Sequence, residues 1–346
     1  MGEKIFCFIT IMLLMSFTLP LVVGEELQMK DTINISKLTL KEKIGQLIIV
    51  KPDGLNEEYS TELYVGGIFL NDLKSAEDYS ETIKFYNQNS KIKLFVSTDM
   101  EGYWNPFNFY KSKSFGDISD DSDAYDLGVE HSKILSELGF NLDFSPIVET
   151  RNTVWPGRTF NGTDQEIKDK ISAYIQGLHK NNILATAKHY PGGSMIKNPH
   201  LKKYETEIFE KDLDFFDHAI KEKVDAIMVG HPIVYGAVDS NGKQATISRE
   251  VIGPLRNKFD GLIITDAVTM LGLRLSYLLN FKKVYPVLIS AGNDIILDTH
   301  KHSGYCSIKK RINEIEKAVE KGYIPEELIN QKVKRILEAK GYFVIN

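Results

Sequence analysis

Short apolar runs recur along the chain at Gln46–Val50, Gly66–Leu70, Leu94–Asp99, Leu142–Pro146, Ala185–Tyr190, Ala226–His231, Leu262–Asp266 and Asp294–Leu297. Each is rich in Ile, Val, Leu or Phe and close to continuous, as expected for a strand covered on both faces. Between them, apolar residues return at helical spacing over Ala76–Asn89, Ala124–Leu138, Asp164–Asn181, Glu207–Lys221 and Ser248–Asn257. The same spacing runs through Ile308–Lys340, with breaks at Gly322 and Pro325. Strands that alternate with helices predict a parallel sheet in an α/β fold. Eight repeats of the unit favour a closed (β/α)8 barrel over an open sheet. No G-x-G-x-x-G follows a strand and no Walker A sequence occurs, so neither a dinucleotide site nor a phosphate loop is expected.

The chain has 346 residues, a length that one barrel domain accommodates. Residues 1–24 read as a secretory signal. Lys4 precedes an apolar stretch from Ile5 to Val23, and Gly24 offers a small residue for cleavage before Glu25. An uncleaved membrane anchor is the alternative, against which Pro20 and the hydroxyl residues weaken a spanning helix. The barrel is then expected over 25–346, secreted, periplasmic or at the cell surface. Membrane contact is expected only if the segment is retained.

The net charge is −5, with no run of Lys or Arg longer than three residues, so nucleic acid is not an expected partner, and a monomer is expected. Cys7 lies within the signal and leaves Cys306 alone. The exported fold therefore has no intrachain disulfide to rely on and must be held by its core. Asn34-Ile-Ser36 and Asn161-Gly-Thr163 match the glycosylation pattern.

In a parallel barrel, reactive groups project from the C-terminal ends of the strands. Applied here, that rule selects Asp99 and Glu101 after the third run, Glu149 and Arg151 after the fourth, Lys188 and His189 in the fifth, His231 in the sixth and Asp266 in the seventh. Packing alone requires none of these groups there. Carboxylates can accept sugar hydroxyls or attack a carbon, while lysine and histidine can donate to hydroxyls. There is no H-E-x-x-H and no cluster at metal-ligand spacing, so neither a metal nor a cofactor is called for.

The same segments resemble, in order, those of glycoside hydrolase family 3. Lys43-Ile-Gly-Gln46 with Val65-Gly-Gly-Ile68 looks like the family's opening, and Asp99-Met-Glu-Gly102 resembles its D-x-E-G-G turn. Leu138–Pro146 resembles the fourth strand, Gly157-Arg-Thr-Phe160 the G-R-S-F segment and Ala187-Lys-His-Tyr-Pro-Gly192 the K-H-F-P-G signature. Asp225–His231, Gly261–Met270 and Ala291-Gly-Asn-Asp294 resemble the sixth, seventh and eighth strands.

The resemblance implies a retaining glycosidase, in which an ionised carboxylate attacks the anomeric carbon and a second group protonates the leaving oxygen. It places Asp266 as the nucleophile; a helix-capping Asp is the plainer reading of that residue. Asp99, Arg158, Lys188 and His189 fall at substrate-binding positions. His231 falls where the family also has a histidine, either against the sugar or as structural support. In the β-N-acetylhexosaminidase branch, of the bacterial peptidoglycan-recycling type, a loop after the fifth strand carries Asp-x-His with the histidine as acid/base. Here that loop gives His200 as acid/base and Asn198 as the group that orients it. Asn can orient an imidazole but cannot stabilise imidazolium by charge.

Further departures are Tyr103-Trp104 for Gly-Arg, Gly193-Ser194 for His-Gly, Glu149 for an aspartate, and Ala267 after the nucleophile. Tyr103, Trp104 and Trp155 offer either a stacking surface for a sugar or ordinary packing. The function expected from the resemblance is release of β-linked N-acetylglucosamine from an amino-sugar glycan. The alternatives are a phosphorylase of the same family, because a histidine acid/base does not repel phosphate, and a barrel that binds glycans with little or no turnover.

Overall fold

The computed structural model describes residues 31–149, 151–152, 154–155, 157–195, 203–274, 277, 280–299 and 304–346. Eight barrel strands lie where the apolar runs predict them: β1 (Ile48–Val50), β2 (Gly67–Phe69), β3 (Phe95–Thr98), β4 (Leu142–Asp143), β5 (Leu184–Tyr190), β6 (Ala226–Val229), β7 (Leu262–Thr265) and β8 (Ile296–Asp298). All pair in parallel, in the order β7-β6-β5-β4-β3-β2-β1-β8. The ring closes between β7 and β8. There Ile264 bridges Ile295, the Thr265 amide donates to the Ile295 carbonyl at 3.0 Å, and the Leu297 amide donates to Thr265 Oγ1 at 3.1 Å. Ile48, Ile49 and Val50 of β1 are all buried, and each such side chain contributes about 1.5–3 kcal/mol by leaving water.

The main helices are α1 (Leu40–Gln46), α2 (Ala76–Asn89), α3 (Asp121–Leu138), α4 (Asp164–His179), α5 (Glu210–Lys221), α6 (Arg249–Arg256), α7 (Val284–Ala291), α8 (Gly304–Glu320) and α9 (Glu326–Ala339). Their starts are set by local chemistry. Thr39 and Thr163 form capping boxes with Glu42 and Glu166, and Ser75 accepts from the Asp78 amide. The expected helix over Glu207–Lys221 begins only at Glu210. Its first residues instead belong to a strand, Glu205–Ile208, that pairs in parallel with Ile233–Gly236 outside the barrel. The alternating burial of Glu205–Ile208 gives it a period of two, which a helical reading passes over.

α3 and α4 cross at glycines. A β-carbon on Gly128 would sit 2.5 Å from the Tyr174 carbonyl, and one on Gly177 would sit 2.5 Å from the Tyr125 carbonyl. That close approach drives Tyr174 inward beneath the strand ends, where its hydroxyl meets Ser145 Oγ at 2.9 Å, His131 Nδ1 at 2.7 Å and the Met100 carbonyl at 3.2 Å. At the opposite end of the barrel, Thr32–Asn34 pairs in parallel with Phe343–Ile345. Asp31–Asn346 form one compact unit, and no described helix is long and apolar enough to cross a membrane.

Candidate active site

The C-terminal ends of the strands open into a cavity of about 260 Å3, walled by Asp99, Lys188, His189 and Asp266 with Arg158 and Trp155. Lys188 and His189 are neighbours in β5 and would face opposite sides of a regular strand. The ladder is irregular at this point: Met228 pairs with Lys188, but Val229 pairs with Tyr190. His189 is the extra residue, and such a bulge re-aims side chains, so both line the cavity.

A buried charge cluster forms the floor. The Lys188 ammonium lies 2.6 Å from Asp99 Oδ1 and 2.5 Å from Glu101 Oε1. Arg158 donates to Glu101 through Nε at 2.7 Å and Nη2 at 2.8 Å. Burial alone would raise the Glu101 pKa, but the charges of Arg158 and Lys188 outweigh it and hold the carboxyl at about 2. Lys188 is likewise kept charged. Its burial favours the neutral amine, and the carboxylates of Asp99 and Glu101 push its pKa above the ordinary lysine value. Two cations and two carboxylates thus cancel in a place where an unpaired charge would be costly.

Arg158 reaches this cluster because its loop is fastened at several points. The Gly116 amide donates to the Gly157 carbonyl at 2.9 Å, and Lys170 Nζ donates to the carbonyls of Ile118 and Asn161 at 3.1 and 2.8 Å. Phe115, Phe160 and Tyr174 pack their rings together below, with Phe115 4.6 Å from Phe160 and 5.0 Å from Tyr174.

Beneath Asp99, Asp143 of β4 accepts from the Met100 amide at 2.8 Å and from the Ser145 hydroxyl at 2.5 Å. Burial pushes its pKa up to about 7, against the lowering effect of those hydrogen bonds and of Lys188.

Asp266 follows β7. Its Oδ1 accepts from the Ala267 amide at 2.6 Å, and its Oδ2 lies 4.0 Å from His189 Nε2. His189 Nδ1 is 3.3 Å from Glu149 Oε2. A carboxylate only accepts, so Nδ1 carries a hydrogen in that bond and Nε2 is the nitrogen turned toward Asp266.

His231 is buried and is not among the cavity-lining residues. Its Nε2 is 3.1 Å from the Ala267 carbonyl and must donate to it, while Nδ1 meets Thr246 Oγ1 at 2.8 Å. The sugar-contact reading of this histidine finds no support in that placement, since it holds the turn after Asp266 from behind the wall. His200 and Asn198 lie outside the described residues.

Reasoning from the strand ends missed Lys51, Asn71 and Asp72, which also line the cavity. Lys51 donates to Asn71 Oδ1 and pairs with Asp72 at 3.3 Å. The same rule points to them, because Lys51 follows β1 and Asn71 and Asp72 follow β2. Glu101 is among the groups that rule selects, while its role as the common partner of Lys188 and Arg158 emerges only from the fold. Among the described residues no group of His, Cys, Asp and Glu side chains could hold a metal ion.

The family model for the glycosyl hydrolase family 3 N terminal domain matches residues 39–339. The chain belongs to glycosyl hydrolase family 3. A "Beta-N-acetylglucosaminidase/beta-glucosidase" of Cellulomonas fimi is 23% identical over 330 residues, covering 87% of this chain and 57% of that protein. The family 3 chain therefore spans little more than half the length of that relative. A "Beta-hexosaminidase" of Haemophilus influenzae is 25% identical over 263 residues, 70% of this chain and 74% of the relative. Among solved structures, a family 3 β-N-acetylglucosaminidase from Paenibacillus sp. superposes with a TM-score of 0.77 at 27% identity, over 88% of this chain and 62% of that one. A β-N-acetylhexosaminidase from Beutenbergia cavernae, with a TM-score of 0.75 and 20% identity, covers 88% of this chain and 99% of its own, and shares the barrel fold.

Proposed function

We propose that this family 3 barrel is a retaining β-N-acetylhexosaminidase that releases β-linked N-acetylglucosamine through a covalent glycosyl–Asp266 intermediate. The observation that carries the reading is the position of Asp266. Its carboxylate stands at the end of β7 in a cavity shared with Asp99, Arg158, Lys188 and His189, with one oxygen fixed by the Ala267 amide and the other turned toward His189. The relatives named hexosaminidase and N-acetylglucosaminidase support the choice of sugar.

In this reading Asp99 accepts and Lys188 donates hydrogen bonds to hydroxyls of the bound sugar. Two of the three N–H groups of Lys188 are committed to Asp99 and Glu101, which leaves one for the substrate. One Asp266 carboxylate oxygen forms a bond to the anomeric carbon as the bond to the leaving oxygen breaks. His200 supplies the proton to that oxygen. Water then attacks the same carbon, gives its proton back to His200 and frees Asp266. Asn198 orients the imidazole in place of a carboxylate. Export directed by residues 1–24 belongs to the same proposal.

The test is hydrolysis of a chromogenic N-acetyl-β-glucosaminide by the protein, beside Asp266→Asn and His200→Ala, with and without inorganic phosphate. Turnover that falls at least ~100-fold in Asp266→Asn, with an unchanged fold, is the expected result. A sugar phosphate as the main product would make the protein a phosphorylase. Sugar binding with no turnover of this or a β-glucoside would leave a glycan-binding barrel.

A further inference from the structure

Behind the cavity floor a row of buried side chains runs toward the surface. Asp143 Oδ2 lies 2.5 Å from Ser145 Oγ, and Ser145 Oγ lies 2.9 Å from the Tyr174 hydroxyl. That hydroxyl is 2.7 Å from His131 Nδ1, and His131 Nε2 is 2.6 Å from Ser112 Oγ. Ser112 Oγ in turn donates to the Lys113 carbonyl at 2.9 Å. Asp143, Ser145, Tyr174 and His131 are wholly buried, whereas Ser112 is partly exposed and Lys113 exposed. The Met100 carbonyl is a more distant acceptor for Tyr174, at 3.2 Å.

Each hydroxyl in the row has one hydrogen to donate. Burial holds His131 neutral, its pKa lowered to about 3, so the imidazole also has one. With Asp143 ionised, the hydrogens point toward it: Ser112 to His131, His131 to Tyr174, Tyr174 to Ser145 and Ser145 to Asp143. The Ser112 hydrogen is then turned away from the Lys113 carbonyl. With Asp143 protonated, every hydrogen turns the other way. Asp143 donates to Ser145, Ser145 to Tyr174, Tyr174 to His131 Nδ1 and His131 Nε2 to Ser112, and Ser112 is free to donate to Lys113. Only this second arrangement makes all the contacts of the row, including the one at Lys113. The two differ by one proton, which leaves to water from the Ser112 end as each hydrogen shifts one place.

The row ends beneath the residues that face the sugar. Asp143 Oδ1 accepts from the amide of Met100, which lies between Asp99 and Glu101, the two carboxylates that clasp Lys188. We propose that Asp143 is a positioning residue that holds the Asp99–Glu101 turn as a neutral acid, and that Ser145, Tyr174, His131 and Ser112 form a relay whose direction is set by its proton. Lys188 and Asp99 face Asp143 with opposite effects, and burial outweighs both. Tyr174 is acted on in turn by Glu101 and Tyr110. While Asp143 is neutral, the two cations and two carboxylates of the floor balance. When it ionises, a third carboxylate lies under Asp99 and competes for Lys188, so the floor holds its sugar-binding groups less well. The use of the floor rests on the glycosidase reading, and the relay itself does not.

Asp143→Asn and Tyr174→Phe test the two parts. Asparagine can accept from Met100 and donate to Ser145, as the protonated acid does, but cannot ionise. At about pH 6, where ordinary carboxyls are ionised, the infrared difference spectrum between the unsubstituted protein and Asp143→Asn should show one carboxylic acid carbonyl band. It should fade with a midpoint at about pH 7. Tyr174→Phe keeps the ring and removes the acceptor of the Ser145 hydrogen. Ser145 then donates to the carboxylate, and the midpoint should fall by about one pH unit. Affinity for N-acetylglucosamine, measured by calorimetry, should drop about tenfold across the same midpoint, follow it downward in Tyr174→Phe, and stay level in Asp143→Asn. Absence of the band, or a midpoint indifferent to Tyr174→Phe, overturns the relay. An affinity level with pH in the unsubstituted protein, or a drop that persists in Asp143→Asn, removes the positioning role. A protein that neither binds N-acetylglucosamine nor turns over any N-acetyl-β-glucosaminide defeats the glycosidase reading and the positioning role with it, while the infrared band still decides the relay.

Discussion

Glu101 and Arg158 stand 57 residues apart in the chain and meet through two hydrogen bonds of 2.7 and 2.8 Å in the buried floor of the cavity. This fork geometry fixes the guanidinium in direction as well as in distance. Glu101→Gln removes the charge that Lys188 and Arg158 share. Loss of one partner from a buried ion pair is expected to cost about 3–5 kcal/mol, seen as a lower denaturant midpoint. In the fraction that remains folded, kcat/KM should fall at least ~100-fold, the usual consequence of a misplaced substrate-positioning group. Full activity in the folded variant would show that Asp99 alone positions Lys188.

His231 offers a cleaner separation of positioning from binding. It grips the Ala267 carbonyl from behind the cavity wall, so His231→Ala should loosen the backbone next to Asp266. The expected result is a kcat reduced about tenfold or more with KM little changed, and partial rescue by His231→Asn. A raised KM with kcat intact would instead place the imidazole against the sugar.

Asp143 predicts a pH dependence of stability. Its ordinary pKa is 3.8, and in the folded protein it is pushed up to about 7. Between these values the folded state holds a proton that the unfolded chain has released. The contribution of this group to stability therefore falls as pH rises from about 4 to 7 and is level above that. Asp143→Asn should remove this slope, so the stability of the variant relative to the unsubstituted protein improves from pH 5 to pH 8. Urea denaturation at the two pH values measures it, and parallel changes in both proteins would sink the assignment.

Asp294 lies just before β8, at the end of the barrel away from the cavity, although it falls within a segment that resembles the family's eighth strand. Its carboxylate accepts from Arg256 at 2.5 Å, from Arg335 at 2.8 Å and from the Ile263 amide at 2.9 Å, with Lys332 3.9 Å away. Asp294→Ala leaves these cations without their shared partner and is expected to lose about 3–5 kcal/mol, while KM of the folded fraction stays the same. A changed KM would link the two ends of the barrel.

Much of this molecule is legible in its sequence. The runs that form β1 to β8 stand out because a strand covered on both faces has little room for polar residues, and β7, with Leu262-Ile-Ile before Thr265, is a plain instance. Asp99, Lys188, His189 and Asp266 lie at the C-terminal ends of such runs, where a parallel barrel presents its reactive groups. Arg158 is visible through a motif resemblance alone, since it sits in a loop that no periodicity marks.

The convergence of Lys188 and Arg158 on Glu101 is not legible, because it depends on contacts between residues 57 to 87 positions apart. Nor is the inward turn of His231, since a histidine at a strand end can face the cavity or its rear. The strand Glu205–Ile208 merges with α5 in the sequence pattern because its alternation lasts too few residues to compete with the helical spacing after it.

The parallel pairing of Thr32–Asn34 with Phe343–Ile345 gives the barrel a handle. Both segments emerge side by side on the face opposite the cavity, so a tether attached before Thr32 or after Ile345 pulls on the closed end. A protein immobilised through either attachment point would keep its mouth toward the solution.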